Sequence, residues 1–109
     1  SLKTASGRIM LAQLPEAELR AAYHSSGERR RYSEIEEELS AYRRQGFATE
    51  CEAISRGQES VSVAVLDHLS RPAAALAVTF AVGSTDTQQL VSALHTAAEG
   101  LQAQFFGNV

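Results

Sequence analysis

The sequence has no tryptophan, one cysteine, few aromatics and no long apolar run. Its lone thiol, Cys51, cannot close an internal disulfide, which suits a reducing compartment. No stretch approaches the roughly 20 apolar residues that cross a bilayer, and no charged-then-apolar leader opens the chain. The expectation is a soluble cytoplasmic protein with no membrane partner. An excess of positive charge is also missing: the net charge is −3, so these residues alone should bind nucleic acid poorly. No two histidines stand at i, i+4, there is no C-x-x-C, and the glycines are isolated, so neither a metal nor a cofactor is expected.

What remains is an ordinary globular composition, 44% apolar and 21% charged over 109 residues. That length makes one domain or a piece of one, with a modest core. Alanine and other small residues are abundant, so the core depends on close backbone packing.

Residues 1–7 read as an extended or turning lead-in, followed by a short helix over 8–13. Leu14 precedes Pro15, which should break that helix, and a second helix runs from Pro15 to about Tyr23. The polar loop 24–32 carries Arg29, Arg30 and Arg31, read as solvated partners for the acidic helix that follows. That helix spans 33–45, with Ser33 and Glu36 as a capping box, Ile35, Leu39 and Tyr42 as its apolar stripe, and Gly46 as its stop. Strands are predicted over 47–52, 60–66 and 73–80, the last two as an antiparallel hairpin. Thr85 or Asp86 should cap a final helix reaching Phe105, with Leu90, Leu94, Ala97, Leu101 and Phe105 facing inward and Gly100 marking close packing.

Side chains alternate across a strand. One face of the hairpin therefore carries Val61, Val63, Val65, Leu76, Val78 and Phe80. The other carries Ser60, Ser62, Ala64, Ala75, Ala77 and Thr79, all small. Such a face needs something to fill it: a closely packed helix, another chain or a ligand. The hydroxyls of Ser60 and Thr79 favour a ligand, because buried hydroxyls need partners.

Other chemistry is weaker. Glu50 and Glu52 share a face by parity and could form an acid–base pair. Cys51 could pair with His24, His68 or His95, but flanking carboxylates raise a thiol pKa and do not activate it. No catalytic residue is assigned.

The order of motifs resembles the effector domain of IclR-family regulators along essentially the whole chain. Thr4–Ala5–Ser6–Gly7–Arg8 with Leu11–Ala12 is similar to the family's T-A-x-G-K/R-x-x-L-A. Arg43–Arg44–Gln45–Gly46–Phe47–Ala48 is similar to R-x-x-G-Y/F-A. Glu50 and Glu52 fall in a D-x-E segment, Gly57 with residues 60–65 in G-x-x-C-x-A-x-P-V, and residues 74–79 in A-A-L-S-V-S.

The resemblance implies an α+β fold, a GAF-like antiparallel sheet flanked by helices and here only partial. Residues 1–109 would be the C-terminal part of an effector-binding domain, without the N-terminal winged helix-turn-helix. It implies a small organic or aromatic acid as effector, a homodimer or homotetramer, DNA contact only through the absent domain, and allosteric control of transcription without catalysis. The implied effector-binding residues are Ala5, Ser6, Glu50, Ser60, Ala77 and Thr79. Departures are Glu50 where the family often has Asp, Ser60 for Cys, Ala64 for Pro and Ala77 for a hydroxyl residue. The alternatives are a small α+β enzyme using Glu50 and Glu52, or a GAF-like signalling module with another output.

Overall fold

The computed structural model describes residues 4–53 and 57–107, apart from the side chains of residues 51–53. The first helix, α1, spans Ala5–Ala12. It begins three residues earlier than the apolar pattern suggests, because Thr4 takes the N-cap and its Oγ1 accepts from the Gly7 N–H at 3.0 Å. Ala5 and Ser6 are thus helical, not part of a loop. Helix α2 covers Glu16–Ser26, with Pro15 at its N-cap and Glu16 and Glu18 in its first turn. It runs past Tyr23 to the left-handed Gly27.

Helix α3 covers Tyr32–Gln45, and the expected capping box does not form. The Tyr32 ring packs edge-on to Tyr23, with centroids 5.4 Å apart, and joins a core of Ala12, Leu19, Ile35 and Leu39. This draws residue 32 into the first turn and leaves Arg31 at the N-cap, with Ser33 already inside the helix. The loop arginines behave as expected at two positions: Arg30 pairs with Glu28 and Glu38, and Arg31 with Glu34.

Three strands follow, β1 (Ala48–Ala53), β2 (Gln58–Leu66) and β3 (Pro72–Ala81), as an antiparallel sheet in the order β1-β2-β3. The turn between β2 and β3 is held by Asp67, whose Oδ1 accepts from the N–H groups of Leu69 and Arg71 at 2.8 and 3.0 Å. Arg71 also grips Glu18 of α2 through both carboxylate oxygens.

Helix α4 (Thr87–Phe106) is capped by Asp86, which accepts from the Gln88 N–H. Its buried residues are Val91, Leu94 and Ala98, packed on Val61, Val63 and Val65 of the sheet. Burying each such valine contributes about 1.5–3 kcal/mol. The expected inward stripe holds at Leu90, Leu94 and Leu101, but it turns to take in Val91 and Ala98, while Ala97 is exposed and Phe105 is 64% exposed. Gly100 is exposed, and a Cβ there would meet nothing, so it does not mark close packing. The architecture is α+β, with α4 on the valine face of the sheet and α1 on the small-residue face. Helices α2 and α3 are held to α1 through the Ala12–Leu19–Ile35–Leu39 core.

Candidate functional site

In the sheet register Glu50 stands opposite Ser60, and Ser60 opposite Thr79. The three residues form one transverse row across all three strands. With strands about 4.8 Å apart, the ends of such a row lie about 10 Å apart. The neighbouring row on the same face is Ala48, Ser62 and Ala77, and the next pairs Ala64 with Ala75.

Helix α1 fills part of this face. Ala5, Ile9 and Ala48 form a buried cluster, against which Met10, Tyr42, Ala64 and Ala75 pack. Here the small side chains serve close helix–sheet packing. The remainder of the face is open: Ala77 and Thr79 are exposed and Ser60 is partly buried. Within one row, Ala48 is buried and Ala77 exposed.

The Thr-Ala-Ser-Gly-Arg segment builds the rim of the open part. Thr4 starts the helix, and the small Ala5, 1% exposed, lets its first turn approach the sheet. The Ala5 N–H donates to Oε2 of Glu50 at 3.3 Å. That carboxylate therefore sits at the start of α1, where the helix dipole favours negative charge. No ion pair to Glu50 is found among the described residues. Arg8 reaches across to the Thr49 carbonyl at 3.1 Å and lies 3.9 Å from Glu38. Tyr42 donates to Glu38 at 2.9 Å, and burial together with this bond pushes its hydroxyl pKa up.

Ser60 Oγ and Thr79 Oγ1 are 2.7 Å apart and bond to each other. The expectation that they are buried and in need of a partner does not hold: each supplies the other, and Thr79 is exposed. The buried hydroxyl is Ser62, fully inaccessible, whose Oγ donates to Ser6 Oγ over a long 3.4 Å. Alternation put Ser62 on the correct face, but only the helical placement of Ser6 reveals its partner. The Glu50–Glu52 pairing rested on strict alternation. The register shifts between Glu50 and Ala53, and the side chains of Cys51 and Glu52 lie outside the described residues. Among the described residues no group of three or more His, Cys, Asp or Glu could hold a metal, and no helix is long and apolar enough to cross a membrane.

The family model for the C-terminal region of the bacterial transcriptional regulator IclR matches residues 2–103. The chain belongs to the IclR C-terminal family. Solved IclR-type structures share the fold. The C-terminal domain of the E. coli transcriptional regulator KdgR superposes with a TM-score of 0.79 at 26% identity, over 94% of this chain and 69% of that one. IclR of Thermotoga maritima gives 0.77 at 26% identity, over 95% of this chain and 47% of that one. The inducer-binding domain of the PobR transcription factor from Acinetobacter, a double mutant in complex with 3-hydroxybenzoic acid, gives 0.75 at 21% identity over 92% and 63%. No match was found among curated proteins. The IclR assignment accords with the motif order along the chain, and the T-A-x-G segment has a structural role here: cap, close approach, and contacts to the sheet.

Proposed function

We propose that this IclR-type domain senses a small organic or aromatic acid on the open part of the small-residue face. Ala5, Ser6, Glu50, Ser60, Ala77 and Thr79 border the bound molecule. The observation that carries this reading is the Glu50–Ser60–Thr79 row beside the first turn of α1. Ala77 at the edge leaves room for apolar ligand surface, and the hydroxyl pair can turn its protons toward an acid. The 3-hydroxybenzoic acid held by the PobR domain has a size and polarity that suit such a row.

The domain is the C-terminal part of the sensor of a larger cytoplasmic regulator. A winged helix-turn-helix outside these residues contacts DNA, and sensors associate as homodimers or homotetramers. The ligand acts by differential affinity for two arrangements of the protein, with coupling of about 1–3 kcal/mol. No bond is made or broken. Calorimetry of 3-hydroxybenzoate and related acids with wild type, Ser60→Ala and Thr79→Val tests the site. Losing one hydroxyl should weaken binding about 10- to 100-fold for a charged ligand group. Affinities untouched by both changes would reject the site.

A further inference from the structure

We infer that the notch beyond the start of β1 is a second ligand site, built for a compact oxyanion such as a phosphoryl or carboxylate group. It lies at the far end of α1 from Glu50 and does not depend on the site proposed above. Strand β1 begins at Ala48, opposite Ser62, whereas β2 runs on to Leu66. The ends of α1 and α3 and one side of α4 close around this overhang and leave a cavity of about 180 Å³. Pockets for whole metabolites run from about 300 Å³ upward, so this one suits a small guest.

The wall is made of donors. Its polar side chains are Gln13, Arg43, His95 and Gln102, and among the described residues no aspartate or glutamate lines it. In a chain of net charge −3 that makes a local positive spot. Existing bonds set how these groups point. Nε of Arg43 donates to the Ala12 carbonyl, which leaves the outer N–H groups of the guanidinium fork for a guest. Oε1 of Gln102 accepts from the Leu66 N–H at 3.0 Å, so the amide NH2 must turn away from the strand. A Cβ on Gly46 would stand 3.1 Å from Nε2 of His95, and its absence leaves room beside that nitrogen.

Two helices end here, and a helix C-terminus by itself repels anions. Their last carbonyls are already engaged: Ala12 by Arg43, Tyr42 by the Gly46 N–H at 2.8 Å, and Met10 and Leu11 by the N–H groups of Gln13 and Leu14. What remains of the dipole is weaker than a charge-assisted hydrogen bond from arginine. The guanidinium therefore decides the sign of the ligand, and its planar fork suits two oxygens of one anion.

The test is an NMR titration of the isotope-labelled chain with phosphate, sulfate and acetate at constant ionic strength, with chloride as the control. The oxyanions should shift the Leu66 amide and the Gln102 side-chain NH2 saturably at about millimolar concentration, which suits so small a guest. Phosphate binding ahead of acetate would name a phosphoryl group as the natural guest, and the reverse order a carboxylate. Gln102→Glu keeps an acceptor for the Leu66 N–H but sets a negative charge in the wall, so it should weaken binding about 10-fold or more. Gln13→Glu should do the same from the end of α1, where the wild-type bond to the Ile9 carbonyl is long at 3.4 Å. Circular dichroism checks that each variant folds, and either one suffices. Thr79→Val, at the other site, should leave this binding unchanged. Shifts that chloride reproduces, shifts that rise linearly without saturating, or affinities untouched by the added charge would overturn the site.

Discussion

Nε of Arg43 donates to the Ala12 carbonyl at 2.6 Å, so a side chain from α3 closes the C-terminal end of α1. The last carbonyls of a helix have no partner within it, and a cation there also opposes the helix dipole. Replacing Arg43 by Ala should cost about 1–3 kcal/mol. Lys at this position should recover little, because a flexible ammonium does not reproduce the guanidinium N–H geometry. Urea denaturation of both variants checks this. Wild-type stability in Arg43→Lys would show that charge alone suffices.

The split of the small-residue face predicts opposite responses within one row. Ala48→Leu forces a larger side chain under α1, where Ala48 packs with Ala5 and Ile9. Overpacking there should cost about 1–3 kcal/mol. Ala77→Leu, in the same row but exposed, should change stability by no more than about 0.5 kcal/mol. Equal losses in denaturant melts would mean that α1 covers the whole face.

Two glycines should respond with opposite sign to the same substitution. Gly100 lies inside α4, and a Cβ there meets nothing, so Gly100→Ala should stabilise by about 0.5–1 kcal/mol. Gly46 ends α3 with φ +90°, and its Cβ would come 3.1 Å from Nε2 of His95. Gly46→Ala should therefore destabilise by about 1 kcal/mol or more. Calorimetric melting should rise for the first and fall for the second, by about 4–8 °C per kcal/mol in a domain of this size.

Acid should loosen the tip of the β2–β3 hairpin. Hydrogen bonds from the Arg71 and Leu69 N–H groups hold the Asp67 carboxyl below its ordinary pKa, and the Arg71 guanidinium does the same for Glu18. A pKa lowered in the folded state contributes stability above the unfolded value, which is lost as pH falls through the folded one. The tip should thus be indifferent to pH from neutrality to about 4 and weaken below that. Amide chemical shifts of Leu69 and Arg71 followed against pH report it. Asp67→Asn should keep the turn while flattening its part of the curve. An acid response identical in this variant would assign the effect elsewhere.

Features written in local patterns were legible from sequence. The alternation of residues 60–66 and 73–80 gave the hairpin and both its faces, and the register then lined up Ser60 with Thr79. Gly46 and Asp86 end and start their helices as their chemistry requires. Features settled by tertiary contact were not. Helix α1 begins at Ala5 because Thr4 caps it and Ala5 packs on the sheet, which no apolar period foretells. The start of α3 moved to Tyr32 because an aromatic ring found a core. On α4 the expected stripe holds at Leu90, Leu94 and Leu101, but packing on the valines of β2 brings in Val91 and Ala98 and leaves Ala97 and Phe105 outside. For the site, alternation identified a face of small residues but not that α1 occupies half of it. Nor did it foresee that the hydroxyls meant for a ligand would first find each other.

Helix α1 is gripped at its first residue by Glu50 and at its last by Arg43. Eight helical residues span about 12 Å, and a hydrogen-bonded helix is stiff along its axis. A guest that draws the Glu50 carboxylate aside would therefore load α1 at both ends of its seat, on the sheet beneath Ala5 and Ile9 and at the Arg43 bond to Ala12.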